Sequence, residues 1–199
     1  MAFDSSIDTK TVILDLAIPL FATQGFSGVS MRDISRQVGI SAAALYHHYP
    51  DKQSLYLSAM ERAFVDKSQG ITAAINNSGT IEDRLYAFVS SFTSLMADDP
   101  NFRMLFQREL LDGDEKRLKL LADQVFGEAF KAVAKLANEL DPDSDPHMLV
   151  ISMAGLVLFH FETAPVRRFL PGRKKGHDKT DVIISHVYNL LSHLLVKQS

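Results

Sequence analysis

The stretch from Ser30 to Lys52 constrains this chain more than any other, because its punctuation fits one local geometry. Ser30 is a helix cap whose hydroxyl can accept the orphan amides of a first turn. Asp33, three residues on, gives a weak form of the capping box. Ile34 and Val38 share a face at i, i+4 spacing. Gly39 stands where a helix ends in a left-handed residue, and Ile40 turns back to the core. Ser41 caps a second helix built on the strong helix formers Ala42, Ala43, Ala44 and Leu45. Tyr49 precedes Pro50 and is steered out of helical space. Asp51 starts another helix, with Lys52 in its first turn. Two short helices around a glycine turn are a common device for placing a helix in the DNA major groove.

On the second of these helices Leu45 is the expected inward anchor, and Tyr46, His47, His48 and Tyr49 form an expected exposed cluster. Tyr hydroxyls and His N–H groups suit phosphates and base edges. The alanines allow close approach to the groove and can meet thymine methyls. The plainer reading is a helical hairpin whose Tyr and His cover the core.

The wider pattern is Ile13-Leu14-Asp15-Leu16-Ala17, Leu20-Phe21-Ala22, Gly25-Phe26, Ser30-Met31-Arg32-Asp33-Ile34, Val38-Gly39-Ile40-Ser41, Leu45-Tyr46-His47-His48-Tyr49, Lys52 and Leu55. Over residues 10 to 56 it resembles the TetR family of bacterial transcriptional regulators. The resemblance implies an all-helical homodimer with a three-helix operator-binding part. The C-terminal part would take a small effector that releases the DNA. By resemblance, Ser30 and Lys52 would grip phosphates at helix N-termini, and Ala43, Tyr46 and His47 would lie over base edges or nearby backbone. The full DNA-facing set is Ser30, Met31, Arg32, Ser41, Ala42, Ala43, Tyr46, His47, His48 and Lys52. One departure stands out: many family members have lysine directly after the recognition-helix cap, where this chain has Ala42. That leaves the operator sequence open.

Charge alone would not point to nucleic acid. The 199 residues carry a formal charge of −3, not the basic balance of a general nucleic-acid binder. Residues 30–52 hold Arg32, Arg36 and Lys52 against Asp33 and Asp51, so weak non-specific affinity is expected. The hydrophobic share of 46% supports a real core and excludes a disordered chain. The absence of cysteine excludes disulfides, zinc–thiolate sites and cysteine nucleophiles. The N-terminal residues lack signal-peptide character, and the apolar run from Met148 to Phe161 is short of the ~20 residues a bilayer span needs. A cytoplasmic protein without membrane attachment is expected.

The chain reads as all-α, with about nine helices and no strand pattern. Residues 1–8 form a tail. The helices run from Thr9 or Lys10 to Thr23, through the helix-turn-helix pair, from Asp51 to about Ile71, from Thr80 to Asp98, from Asn101 to Leu111, from Glu115 to Leu140, from Pro146 to Arg168, and from Thr180 to Lys197. Asn76-Asn77-Ser78-Gly79 and Asp141–Pro146 are the clearest breaks. The expected division is a DNA-binding domain at 9–55 and an effector and dimerisation domain at 56–199. The helix after Pro146 is apolar nearly all round, so it must be buried on more than one side. The last helix shows a wide stripe, Ile183, Ile184, Val187, Leu190, Leu191, Leu194 and Leu195. Together they would leave a large apolar patch on a monomer. Leu149, Leu156, Phe159, Ile183, Val187, Leu190, Leu191 and Leu194 are the expected dimer interface, and a monomeric bundle core is the alternative.

Aromatic, Met and polar side chains in the middle of the chain suit a pocket for a largely apolar effector. The candidates are Phe88, Phe92, Met96, Phe106, Arg108, Phe126, Phe130, Met153 and His160. No metal or cofactor is expected: His186 and His193 are two turns apart with no third ligand. No serine elbow, phosphate loop or carboxylate pair points to an enzyme. The expected partners are a double-stranded operator, a small effector and a second copy of the chain. The main rival is a helical small-molecule-binding protein without DNA binding.

Overall fold

The computed structural model describes residues 8–77 and 79–196. The tail at residues 1–7, Ser78 of the Asn-Asn-Ser-Gly break, the Leu195 side chain and Lys197 lie outside the described residues. The fold is all-α, as expected: α1 Thr9–Gly28, α2 Met31–Val38, α3 Ala42–His48, α4 Lys52–Asn77, α5 Ile81–Asp98, α6 Pro100–Asp112, α7 Glu115–Leu121, α8 Gly127–Leu140, α9 Pro146–Glu162, α10 Ala164–Arg167 and α11 Thr180–Val196. A π-helical turn, Ala122–Phe126, joins α7 to α8, so the single helix expected from Glu115 to Leu140 is α-helical with a π turn inside it. The helix expected from Pro146 to Arg168 is interrupted at Thr163, and α10 is the short piece beyond.

Caps and breakers set these boundaries. Asp145 accepts from the Met148 amide at 2.9 Å with Pro146 in the first turn of α9, where proline costs no helical hydrogen bond. Thr80 and Asp83 form a reciprocal capping box for α5. In α1 the backbone leaves helical space at Gly25, φ 74° and ψ 172°. α1 is long and apolar enough to cross a membrane by length and composition alone. Its Ile13, Ala17 and Phe21 are instead fully buried in a protein core.

The chain forms two compact units. Unit 1 holds α1–α3, α4 as far as Asp66, α6 and α7, and ends at Val125. α6 lies against α1, α1 against α2, and α2 against α3. Ile13, Phe21, Ile34, Leu45, Leu55, Tyr56, Met60, Phe64 and Leu105 are its fully buried large side chains among the described residues. Each contributes about 1.5–3 kcal/mol relative to exposure. Unit 2 holds α4 from Lys67, α5, and the chain from Phe126 onward. Here α5 lies against α8, α9 and α11, around Leu85, Val89, Met96, Leu136, Met153, Val157 and Val187.

Gly39 adopts φ 80°, and a Cβ built there meets nothing within 4 Å. The cost of Gly39→Ala is therefore conformational only, about 1 kcal/mol. Chemical denaturation should show that loss with an unchanged m-value, and Gly39→Asn should lose less.

Candidate nucleic-acid interface

The exposed surface of α2, its turn and α3 is built by local hydrogen bonds. The Asp33 amide donates to Ser30 Oγ at 3.2 Å, and the Ser30 amide donates to Asp33 Oδ2 at 3.1 Å. The same hydroxyl also donates to that carboxylate. These bonds, the hydroxyl's first, hold the Asp33 carboxyl below the usual range. Gly39 and Ile40 both donate their amides to Ser35 O at 3.0 Å, closing α2 with a left-handed residue. Ser41 Oγ then accepts from the Ala44 amide at 3.1 Å. Asp51 caps α4, accepting from the Ser54 amide at 2.7 Å.

In α3 only Leu45 is buried. Tyr46 is 50% exposed, and Ala43 and His47 are also exposed. Ala42 and His48 are half-buried. Ser30, Arg32 and Ser41 face solvent. So does Arg36, a cation missing from the expected DNA-facing set, whose side chain is 78% exposed and pairs with Asp33 at 3.5 Å.

Three expectations are corrected here. Met31 is buried, because positions 31, 34, 35 and 38 form one inward stripe. Tyr49 is buried one turn beyond Leu45, so it does not belong to the exposed cluster. Lys52 turns inward: its Nζ donates to Phe26 O at 2.9 Å and Val29 O at 3.1 Å, and lies 4.4 Å from the centre of the Phe26 ring. That ammonium is committed to backbone carbonyls rather than held out for a phosphate.

Behind this surface lies a buried polar cluster that the sequence reading missed. Glu109, 1% exposed, accepts from the Tyr56 hydroxyl at 2.5 Å and from Arg117 Nε at 3.1 Å and 3.2 Å. Arg117 also reaches Asp112 at 3.3 Å and Asp114 at 3.4 Å. Burial, followed by the hydrogen bond to Glu109, pushes the Tyr56 phenol well above the usual range. Tyr56 and Glu109 lie 53 residues apart in sequence and Glu109 and Arg117 eight, spacings that no local pattern joins.

The expected effector residues divide between the units: Phe106 and Arg108 lie in unit 1, the others in unit 2. Arg108 is corrected from a pocket residue. Its Nε donates to Ala22 O at 2.7 Å and its Nη2 to Thr23 O. In unit 2, Phe88, Met96 and Met153 are core. Phe92 is half-buried and stacks on Phe88 at 5.8 Å. Phe126 is half-buried, and Phe130 meets His147 at 5.0 Å. His160 lines an open cavity of about 590 Å³ with Ser152, Gly155, Leu156, Phe159, Thr163 and Arg167.

The expected dimer residues also separate. Ile183, Val187 and Leu191 are buried within the protomer, because α11 lies against α5 and α9. They are corrected from interface to core. Leu156, Phe159 and Leu190 are exposed, and Leu149 and Leu194 are half-buried. Among the described residues no group of three or more His, Asp and Glu is placed to hold a metal ion.

Residues 13–59 match the model described as bacterial regulatory proteins, tetR family. The chain is 35% identical over 83 residues to the biofilm operon icaADBC HTH-type negative transcriptional regulator IcaR of Staphylococcus aureus (strain Newman). That match spans 42% of this chain and 45% of the relative. The IcaR of Staphylococcus epidermidis is 42% identical over 55 residues, 28% of this chain and 30% of that protein. The chain thus spans less than half the length of these curated relatives. The fold resembles that of the fatty acid degradation regulator FadR from Bacillus halodurans, with a TM-score of 0.74 and 16% identity over 94% of this chain and 96% of that one. At that identity the likeness concerns the fold alone.

His160 supplies a pH prediction. Burial, then the nearby Arg167 and His186, hold its imidazole below the ordinary value. Below about pH 6.5, where a free imidazole takes up a proton, the unfolded chain binds a proton that the folded one refuses. Stability should therefore fall as pH drops beneath that point, until His160 protonates in the folded state as well. Urea midpoints between pH 7.5 and 5.5 should show this loss, and His160→Gln should shrink it.

Proposed function

We propose, from the match of residues 13–59 to the model described as bacterial regulatory proteins, tetR family, that this chain is a ligand-responsive transcriptional repressor. It binds a palindromic operator as a homodimer in the cytoplasm and is released by a small, largely apolar effector. The observation that carries this reading is α3, in which a single buried leucine anchors a helix that leaves Ala43, Tyr46 and His47 to solvent. A helix this weakly tied to its own core is suited to contact something else. Ser30, Arg32, Ser41, Ala42, Ala43, Tyr46, His47 and His48 form the DNA-facing set. Arg36 joins it, and Met31 and Lys52 support it from behind. Residues 9–55 carry the reading function, and 56–199 carry effector binding and dimerisation. Repression is favoured by the word negative in the name of the IcaR relatives.

Dimerisation is favoured by the two-sided character of α9. Val150, Met153 and Val157 fill the protomer core, whereas Met148, Ile151, Leu156 and Phe159 are exposed on the same helix, with Val182 and Leu190 exposed on α11. A contiguous exposed apolar face of this kind marks an interface. Dimeric helix-turn-helix proteins present two recognition helices to successive major grooves, about 34–36 Å apart. An effector then acts by changing that spacing, with a coupling of about 1–3 kcal/mol.

The test is selection of bound sequences from a random duplex library by the full chain. The expected result is an enriched palindrome, lost when Tyr46 and His47 are both changed to alanine in a protein that still folds. No enrichment at low salt from a folded dimer would overturn the repressor reading.

A further inference from the structure

The end of α1 and the corner after it, residues 22–29, present four backbone carbonyls to two cationic residues of unit 1 and an aromatic ring to a third. Ala22 O and Thr23 O accept from Arg108 of α6. Phe26 O and Val29 O accept from Lys52 at the start of α4. The Phe26 ring has Lys52 Nζ at 4.4 Å and the Arg117 guanidinium carbon at 4.7 Å from its centre. A helix C-terminus carries the negative end of its dipole, so cations belong there. Arg117 is itself fixed by the Glu109 carboxylate that also binds Tyr56, and Tyr56 meets the edges of Phe21 at 4.8 Å and Phe26 at 5.1 Å. The corner runs straight into Ser30, the cap of α2. Arg108 sits flush on it: a Cβ added to Gly25 would come within 3.2 Å of Arg108 Nη1.

We propose that Arg108 and Arg117 are positioning residues for DNA recognition, fixing the corner that carries α2 and α3 without touching the DNA. The proposal rests on the operator-binding reading above. Lys52 and the rings of Phe21, Phe26 and Tyr56 pack the corner. The arginines add direction: the planar, rigid fork of Arg108 fixes Ala22 O and Thr23 O together, and Arg117, held by Glu109, fixes the Phe26 ring. A reading surface must be held within about 0.5 Å of its productive geometry, and α3 has only Leu45 in the core to hold it. Its aim therefore comes from the corner. Both arginines lie in residues 100–125, so this segment of the chain sets the orientation of helices that precede it by many residues.

The experiment uses the full chain and the operator found by selection with the unchanged protein. Arg108→Met removes the carbonyl fork and leaves no buried carboxylate unpaired. Arg117→Met alone strands Glu109, so Arg117→Met is paired with Glu109→Met, an apolar replacement that such sites tolerate. Specific affinity, affinity for a scrambled duplex, the salt dependence of both, and amide exchange over residues 22–48 are measured well below the melting temperature. The expected result is a loss of operator affinity of about tenfold or more, with faster exchange in α2 and α3. Affinity for scrambled DNA and the salt slope should stay unchanged. Arg108→Lys should recover part of the loss. A salt slope reduced by about 0.9 for each arginine removed would make these residues phosphate contacts and overturn the proposal. So would unchanged operator affinity, even in a protein that melts earlier. If the unchanged protein selects no operator, the repressor reading fails by itself. Amide exchange then decides this proposal: faster exchange in α2 and α3 upholds the control of their orientation, and unchanged exchange overturns it.

Discussion

A carboxylate as deeply buried as Glu109 must be balanced, and the balance organises unit 1. Burying an unpaired charge costs several kcal/mol. Glu109 is therefore surrounded by the Tyr56 hydroxyl and the Arg117 guanidinium, and each brings a helix with it. Tyr56 brings α4 and Arg117 brings α7, and Glu109 stands on α6. Arg117 in turn places its cation over Phe26, in the last turn of α1. The neighbours α6 and α7 are thus tied at one anion to the remote α4, and through Arg117 to the end of α1. Replacing only one partner would leave charge without compensation, so the cluster persists or is lost as a set.

The helices were legible because their ends are written in chemistry that acts locally. The capping serine of α2, the start of α5 at Thr80, the left-handed Gly39 and the start of α9 at Pro146 need only a few residues each, and all are legible from spacing. What failed was long-range or depended on direction. Lys52 and Arg108 are cations, and the sequence says that much. That their donors point at carbonyls 23 to 86 residues away is a fact of tertiary packing. Met31 was within reach of the sequence: it belongs to the same i, i+3, i+4, i+7 stripe as Ile34, Ser35 and Val38, and its neighbour Ser30 drew it to the wrong side. Tyr49 follows Leu45 by one turn for the same reason. The π turn at Ala122–Phe126 has no signature in a run that otherwise reads as one continuous helix.

The C-terminal helices show how far hydrophobic pattern alone can go. α9 and α11 both read as wide apolar stripes, and pattern assigned both stripes to one interface. In the structure the stripes are shared out. Ile183, Val187 and Leu191 join the core of unit 2, and Phe159, Ile151 and Leu190 remain outside. Apolar periodicity reports that a face leaves water and is silent about whether its cover comes from the same chain.

The sparse anchoring of α3 has an evolutionary side. Six of its seven residues lie outside the core, so substitutions among them should carry little penalty in folding. Mutations that retarget the helix need not be preceded by others that shore up the fold. On the proposed function, duplicated copies of such a gene are free to drift apart in the sequences they bind while the rest of the molecule stays as it was.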